Sequence, residues 1–596
     1  MEIHWKYIVC AARRYAIYGW DIMKMDQRRK ILTTGFLVVL LAAVLFPLST
    51  LLSQNVEKDV LTGELTEVFE RQAALGGAGG GTDVQMAVDI EEIWALEDVR
   101  TESEDSLVSM MKNGDAPLGY DADSDTFYCT LGEGRTEDWP PVALSAWGDE
   151  NLRVIFVDDY AYDFCSDAIR EGYRYELMAY TDTEYAYFGL VFTALPIVSL
   201  DPDCHFMDIG YDEDVGTLVS ISSADFETVQ GAALVHQRGG RFYRGIDKNS
   251  YRLEFHELEA YEGDSKRAVS ALGMPADTDW LLIASPVDRT AIRNQLSWEM
   301  WKDWNAGGDL GINVLESRMV ELFVEDEYLG LYQLMQRIDV ENELVRMGGD
   351  LDTDMVGRKI QVSNLGDRPI MQMGESEPWI AELRYVPAGM SEDEAFDLMK
   401  RYALLEELEA KTDNILSDEA FEREVLAHFD IRSLMNYFLF VQAMSFGMDN
   451  VNNNVYIWTL FDDDGGYKHY LSPWDMDAGF MKLRTNPDGN DEDEINMWMH
   501  LPNRVLSLDI GNSRQIAWEI WQEKRTTILE ESALYQRLED MKNRIDASGA
   551  YLRETEQWRG GAKELDIEEM QAVACEHQNT VELNLRTLWP PEGLVY

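Results

Sequence analysis

The chain has 596 residues, an apolar fraction of 46%, and 110 acidic residues against 51 Lys and Arg, for a formal net charge of −59. This length accommodates three or four domains, and the apolar fraction supports packed cores rather than intrinsic disorder. The acidity excludes nonspecific nucleic-acid binding as a function class, because affinity for phosphates depends on Lys and Arg. We therefore expect no nucleic-acid partner.

The N-terminal residues differ from the rest in charge. Residues 1–30 carry seven Lys or Arg against three Asp or Glu, and the following segment Ile31–Leu52 carries no charge. An apolar run of this length spans about 30 Å of hydrocarbon. The basic residues before it predict a cytoplasmic tail (1–30), one transmembrane signal anchor (31–52) and an extracytoplasmic remainder at the cell membrane. A cleaved signal peptide is the weaker interpretation, since no clear cleavage site follows the run.

Residues 53–115 are predicted to be a linker. Gly76–Gly81 is almost entirely glycine, which is typical of a flexible tether. The acidic segment Asp89–Met111 is predicted to be a helical spacer.

Residues 116–197 change to short alternating runs separated by turn residues. Four runs rich in aromatic and β-branched residues predict strands: Thr126–Leu131, Leu152–Val157, Tyr173–Tyr180 and Tyr185–Phe192. They predict a small β-sandwich-like domain. Cys129 and Cys165 fall within it, and buried free thiols are favoured there over a disulfide.

Residues 198–340 are predicted to form mostly antiparallel strands with one helix. The predicted elements are strands leading into and out of an Arg238-Gly239-Gly240 turn, a helix within Asp288–Trp304, and a hairpin of Arg318–Val324 with Tyr328–Met335.

Residues 341–596 are predicted to be mainly helical. One helix starts near Ile431 with an apolar stripe and ends near Gly447. A polar loop, Asp449–Asn454, follows it, and two strands then lead to the acidic segment Pro473–Asp477.

This order of helix, polar loop, hairpin and acidic segment is that of the C-lobe active site of protein kinases. In such sites one Asp orients the attacking hydroxyl, an Asn five residues later binds metal, and a second Asp beyond a hairpin binds metal. Asp449 and Asn454 have this offset. Asp475 or Asp477 is the predicted metal carboxylate for a hard cation, and the choice between the two stays open.

Further motifs extend over roughly residues 195–480. They are Gln237–Gly240, Lys248–Leu253, Leu272–Pro275, Asp279–Leu282, Ile292–Asn294, Glu321–Val324 and Tyr328–Tyr332. Their order and spacing resemble those of the CotH kinase family of spore-coat and surface-associated atypical protein kinases. The resemblance implies an α+β, two-lobed kinase-like fold, with an antiparallel N-lobe over 198–340 and a mainly helical C-lobe over 341–596.

The resemblance also implies a nucleotide site built on the glycine turn. Arg238, Gly239 and Gly240 would bring backbone N–H groups to the phosphates of ATP. The family usually has Asn and Ser where this chain has Gly240 and Arg241, so a side-chain hydroxyl contact is missing.

A kinase N-lobe needs a cation after this turn to neutralise the phosphates. Lys248 is favoured and Arg252 is the alternative; strand parity predicts that both point to one face. Glu299, on the predicted helix, is the candidate to orient this cation. Gln336 lies in the implied hinge, where adenine binds.

The implied function is an extracytoplasmic protein kinase that transfers the γ-phosphate of ATP to Ser or Thr of surface or coat proteins, with Mg²⁺ or Mn²⁺. The acidic surface favours a basic protein substrate through charge steering. The alternative is a catalytically weak pseudokinase that acts as a cell-surface scaffold or wall-binding protein. The altered glycine turn favours the alternative, whereas Asp449, Asn454, Asp475 and Asp477 favour the kinase.

Overall fold

The computed structural model describes residues 81–86, 88–132, 139–140, 142–157, 165–211, 213–239, 248–257, 266–286, 288–306, 315–361, 370–372, 379–408, 416–445, 454–481, 499–559 and 566–592. All of them belong to one compact unit of the chain, Val68–Ala260 with Asp264–Tyr596. This part contains three β-sheets and twelve α-helices, so the predicted α+β class is confirmed.

The first sheet has ten strands. They are β1 (Thr82–Gln85), β2 (Thr101–Glu102), β3 (Val108–Asn113), β4 (Ala116–Pro117), β5 (Gly119–Asp121), β6 (Thr126–Thr130), β7 (Leu144–Gly148), β8 (Arg153–Phe156), β9 (Arg174–Tyr180) and β10 (Glu184–Thr193). The order is β4-β3-β7-β1-β8-β9-β10-β6-β5, and β2 pairs with β10. Helices α1 (Ile90–Glu97) and α2 (Cys165–Arg170) lie within this stretch of the chain.

Strand β1 connects the two parts of this sheet. Its first half pairs antiparallel with β7, and its second half pairs parallel with β8. Apolar side chains from both parts then share one core, for example Met111 and Ala146 with Leu177 and Leu190. The result is a continuous mixed sheet around a common core.

This arrangement corrects two predictions for the N-terminal region. The sheet begins at Thr82, so the second half of the predicted linker 53–115 is part of a domain. The predicted spacer helix Asp89–Met111 is helical only over Ile90–Glu97, and β3 pairs with β7 because this pairing buries Val108 and Met111. The four strands predicted for the sandwich-like domain are confirmed as β6, β8, β9 and β10.

The second sheet is a closed barrel. Its strands are β11 (Ile197–Pro202), β12 (Val215–Ser222), β13 (Val229–Arg238), β14 (Ser250–His256), β15 (Asp279–Ile283), β16 (Ser317–Val324) and β17 (Glu327–Gln336). The order is β11-β12-β13-β14-β15-β17-β16, and the parallel pairing of β11 with β16 closes it. Alternate side chains such as Val235, Leu253 and Trp280 fill the interior. Helix α3 (Arg293–Trp304) lies between β15 and β16 in the chain.

The third sheet is antiparallel and has the order β19-β20-β18-β21-β22. Its strands are β18 (Met355–Gln361), β19 (Ile370–Gln372), β20 (Trp379–Tyr385), β21 (Val455–Phe461) and β22 (Tyr467–Pro473). The accompanying helices are α4 (Val340–Arg346), α5 (Glu392–Ala403), α6 (Asp418–His428), α7 (Ile431–Met444), α8 (His500–Leu508), α9 (Ser513–Arg525), α10 (Glu531–Ala547), α11 (Ala550–Glu554) and α12 (Glu568–Thr587).

Helix α7 is the central element of this half of the fold. The Asp430 side chain caps its first turn by accepting a hydrogen bond from the Ser433 N–H at 2.7 Å. All of its side chains except Arg432 and Asn436 are buried, which is typical of a helix enclosed on every side. It shares one apolar core with α3 and the β21–β22 hairpin, and this packing fixes the hairpin base beside α3.

Two further predictions concern a membrane anchor and the state of the cysteines. None of the described helices has the length and hydropathy expected of a membrane span, and the predicted anchor Ile31–Leu52 lies outside the described residues. Cys129 and Cys165 are buried free thiols, as predicted.

Candidate active site at the base of the β21–β22 hairpin

The hairpin brings two of the predicted metal ligands to the same end. Val455 pairs with Pro473, and the Trp474 N–H donates to the Asn454 carbonyl oxygen at 2.9 Å. Asn454 and Asp475 therefore leave the hairpin at its base, from neighbouring strands. Asp449 lies outside the described residues, so its predicted role is unchanged.

The backbone at this base adopts uncommon conformations. Asn454 has φ 53°, Asp475 has φ 55°, and Phe480 has φ 52°, all in the left-handed region. Asn tolerates this region comparatively well, but residues held there cost on the order of 1–3 kcal/mol each and persist only where their surroundings hold them. Such conformations concentrate at functional sites.

Asp475 lies in a partly buried position next to two arginines. Burial raises the pKa of its carboxyl, and the nearby Arg238 and Arg358 oppose this rise. Burial lowers the pKa of Arg238 to about 10, while the Asp475 carboxylate raises it. Arg358 lies on β18 and is paired with Glu382 at 2.7 Å.

Arg238 and Asp475 have no direct ionic partner among the residues that the structure describes. In the described part of the chain neither makes a hydrogen bond or a salt bridge within 4 Å, although each senses the charge of the other. The Arg238 guanidinium lies 5.7 Å from the centre of the Trp474 ring. An available cation and an available carboxylate thus meet at a partly exposed position.

The glycine turn begins at this same place. Arg238 is the last residue of β13, and Gly239 follows with φ 125°, a backbone conformation that favours glycine. Gly240 lies outside the described residues. The predicted approach of backbone N–H groups to phosphates stays a prediction.

Lys248 lies elsewhere, in a closed ion pair. Its Nζ donates to both carboxylate oxygens of Glu554 at 2.7 Å and to the Leu331 carbonyl oxygen at 2.7 Å. It also lies 4.6 Å from the centre of the Tyr332 ring and is 3% exposed. This placement argues against the predicted phosphate contact, because a buried and fully paired ammonium group presents no charge to a nucleotide.

Arg252 and Glu299 also differ from their predictions. Arg252 pairs with Asp279 and with Glu254 on the barrel, whereas Lys248 pairs with Glu554. Glu299 accepts a hydrogen bond from Gln295 and lines a cleft between α3 and α10. Its predicted pairing with the strand cation is replaced by Glu554, which lies on α11.

The predicted roles of Gln336 and Asp477 stay predictions. Gln336 ends β17, where its side chain donates to the Pro275 carbonyl oxygen at 3.1 Å and accepts from the Glu316 N–H at 3.3 Å. Asp477 lies two residues after Asp475 in the same turn and is partly exposed.

The donor set at the hairpin base fits a hard divalent cation. Asp475 offers a carboxylate without a hydrogen-bond donor in the described part, and Asn454 offers amide oxygen, while Mg²⁺ and Mn²⁺ take few protein oxygens together with water and phosphate. The described residues contain no group of three His, Cys, Asp or Glu side chains arranged as a complete metal site. Asn454 and Asp475 would therefore act with phosphate oxygens.

Two residues that interact with the predicted site residues could not be identified from the sequence. Glu554 is 306 positions from Lys248, and Arg358 follows no recognisable motif. Their contacts depend on how the barrel, the third sheet and α11 meet. A local pattern contains no information about such contacts.

A comparison with known protein families gives a match to the region of the chain that contains this candidate site. The family model described as CotH kinase protein matches residues 235–581, more than half of the chain, from the end of β13 through most of α12. A search of curated proteins found no match. The matched segment includes Arg238, the hairpin and Asp475, and the chain belongs to the CotH kinase family.

Proposed function

We propose that this protein is a metal-dependent kinase that transfers the γ-phosphate of ATP to Ser or Thr side chains of surface or coat proteins. The observation that carries the proposal is the proximity of Arg238 and Asp475, two partly buried opposite charges without a salt bridge among the described residues, within the segment that matches the CotH kinase family. Perturbed titratable groups of this kind concentrate at functional sites.

The phosphates are assigned to Arg238 and the backbone at Gly239. A guanidinium group binds phosphate oxygens through several N–H donors in a fixed geometry, and Arg238 has no competing carboxylate within 4 Å in the described residues. Lys248, the residue favoured from the sequence, is occupied by Glu554. The barrel and the helical region would act as the two lobes, with adenine near Gln336.

The metal is assigned to Asn454 and Asp475, with Asp477 as a further ligand. When bound, Mg²⁺ or Mn²⁺ supplies positive charge that neutralises the phosphate oxygens. Asp449 would orient the substrate hydroxyl. The hydroxyl oxygen bonds to the γ-phosphorus, the bond to the β–γ bridging oxygen breaks, and the hydroxyl proton passes to Asp449 or to water, which leaves ADP and a phosphorylated side chain.

Substrate and location follow from charge. The net charge of −59 favours a basic protein substrate, and added salt should weaken this attraction. The apolar segment 31–52 supports a single-pass membrane protein whose kinase region is outside the cytoplasm.

A second candidate function is a catalytically weak scaffold at the cell surface. The closed Lys248–Glu554 pair favours it, because this lysine is not available for the phosphate contact expected of a kinase N-lobe. The two functions differ in one measurable property, phosphate transfer.

The test is transfer of labelled phosphate by the full-length protein to basic protein substrates, with Mg²⁺ or Mn²⁺. We expect the parent to transfer label and Asp475→Ala to reduce kcat by about 10²–10³-fold, as losing one group that stabilises transition-state charge does. Asp463→Ala is the matched control, because Asp463 is an exposed carboxylate at the tip of the same hairpin. Equal transfer by the parent and Asp475→Ala would support the scaffold.

A further inference from the structure

The turn that carries Asp475 is held by side chains from another element. We define the Asp475 turn as Asp475–Phe480, which begins and ends with residues in the left-handed region. Its Met476 N–H donates to the Asn294 Oδ1 at 3.1 Å, and its Gly479 carbonyl oxygen accepts from the Arg293 Nη1 at 2.9 Å. Both side chains belong to the first turn of α3.

These two side chains are themselves fixed by buried partners. The Arg293 Nε donates to Asp288 at 3.0 Å, and Asp288 is fully buried. The Asn294 Nδ2 donates to Gln333 at 2.8 Å, and the Gln333 Nε2 donates to Ser317 at 2.8 Å. The result is a continuous series of hydrogen bonds from the barrel wall through α3 to the Asp475 turn.

The connection determines where the Asp475 carboxylate points. The direction of a side chain follows from the φ and ψ of its residue, and the left-handed conformation of Asp475 is uncommon for a residue other than glycine. Fixing the next amide, Met476 N–H, restrains ψ of Asp475. If that amide rotated, the carboxylate would move away from Arg238.

We propose that Asn294 and Arg293 are positioning residues that hold the Asp475 carboxylate for the metal–nucleotide complex. This inference rests on the proposed kinase function, and it adds an action through the backbone by residues that touch neither substrate nor cofactor. It distinguishes Asn294 from an ordinary buried amide, because its effect should appear in metal-dependent nucleotide binding.

The test compares the full-length parent with Asn294→Ala and with the matched control Ser317→Ala. Ser317→Ala removes the far end of the same buried chain and leaves the Asn294 contact to Met476. Two properties are measured for each: hydrogen–deuterium exchange at the Met476 amide, and calorimetric binding of ADP with and without Mn²⁺. Arg293→Lys serves as a second variant, since it keeps a cation for Asp288 but is too short to bridge to Gly479.

We expect Asn294→Ala to speed exchange at Met476 by at least tenfold and to weaken binding of ADP with Mn²⁺ by about 10–100-fold, as loss of an outer-shell partner of a metal ligand does. Binding of ADP without Mn²⁺ should change less than twofold, and Ser317→Ala should match the parent in both properties. Arg293→Lys should weaken binding in the same metal-dependent manner.

Two outcomes would overturn the inference in different ways. If Asn294→Ala binds ADP with Mn²⁺ as tightly as Ser317→Ala does, Asn294 is only structural, and the proposed kinase function is unaffected. If the parent itself shows no Mn²⁺-dependent binding of ADP, the proposed function fails and this inference fails with it; the exchange data still report whether Asn294 holds the turn.

Discussion

The barrel carries two pairings of a cation with a carboxylate that differ in almost every respect. Lys248 and Glu554 are buried, 2.7 Å apart, and further satisfied by the carbonyl oxygen and the N–H of Leu331. Arg238 and Asp475 are partly exposed and make no direct salt bridge in the described residues. The first pair is complete without a ligand, and the second is not.

The presence or absence of a direct ion-pair partner distinguishes a structural charge from a functional one more reliably than residue type does. A buried ion pair whose remaining donors and acceptors are all satisfied has no capacity left for a ligand. Charges that stay unpaired close to each other are costly to keep, and folds retain such arrangements mainly at functional sites. Lys248 therefore connects the barrel to α11, whereas Arg238, which has no salt bridge among the described residues, is the proposed phosphate contact.

Breaking the Lys248–Glu554 ion pair should have the largest effect on stability. We expect Glu554→Gln to lower the free energy of unfolding by about 3 kcal/mol or more, because it leaves the Lys248 ammonium buried without a counter-charge. Gln still accepts the Leu331 N–H, so the loss reports on charge. Urea denaturation followed by circular dichroism measures it.

The double variant Lys248→Met with Glu554→Gln sharpens this test. It removes the buried charge together with its partner and should recover much of the lost stability. A double variant no more stable than Glu554→Gln would contradict the view of Lys248 as a structural cation.

Changing Arg238, beside Asp475, should affect nucleotide binding instead. We expect Arg238→Ala to raise KM for ATP about tenfold, equivalent to about 1.4 kcal/mol, because one charge-assisted phosphate contact is lost. The free energy of unfolding should change little, since Arg238 has no salt bridge among the described residues. Initial rates at varied ATP concentration measure KM.

The double variant at positions 248 and 554 is the control for this prediction. Its KM for ATP should equal that of the parent. If the KM of this double variant rises about tenfold while that of Arg238→Ala equals the parent's, the phosphate contact is made by Lys248, as the sequence alone suggested.

The sequence predicted those parts of the fold that depend on local patterns. Alternating runs and turn residues identified β6, β8, β9 and β10, and the apolar stripe identified α7. The hairpin register then brings Asn454 and Asp475 to one end, because strands joined by a short turn must pair in order. The oxygen half of the candidate site was therefore predictable.

The missed parts depend on contacts between distant segments. Closure of the barrel requires Ile197 to pair with Glu321, which no local pattern indicates. The strand β3 was missed because Val108-Ser109-Met110-Met111 alternates poorly and follows a helix that Asp89 caps. The ion pair of the predicted cation Lys248 was missed for the same reason, since its partner Glu554 lies far along the chain.

Arg252 is intermediate between Lys248 and Arg238, since it is partly exposed but has ion-pair partners. Its network should give the smallest of the predicted effects on the free energy of unfolding. Glu254 contacts His256, Lys266 and Arg252, and the His256 contact makes the largest contribution to lowering the pKa of Glu254 from 4.5 to about 2. Because the folded pKa lies below the unfolded one, the stabilisation is complete above about pH 4.5 and is lost as the pH falls towards 2.

The other carboxylates of this acidic chain change its stability with pH in the opposite direction. Protonation of exposed carboxylates below pH 5 relieves repulsion in a chain of net charge −59, which by itself stabilises the compact state. The Glu254 contribution therefore appears only as a difference between variants. We expect Glu254→Gln to be about 1 kcal/mol less stable than the parent at pH 6, after allowance for solvent screening, and the two to converge near pH 2.5. Glu227→Gln, at an exposed carboxylate without a salt bridge in the described part, should match the parent at both pH values. A gap between Glu254→Gln and the parent that stays constant from pH 6 to 2.5 would mean that packing, and not charge, holds Glu254 in this network.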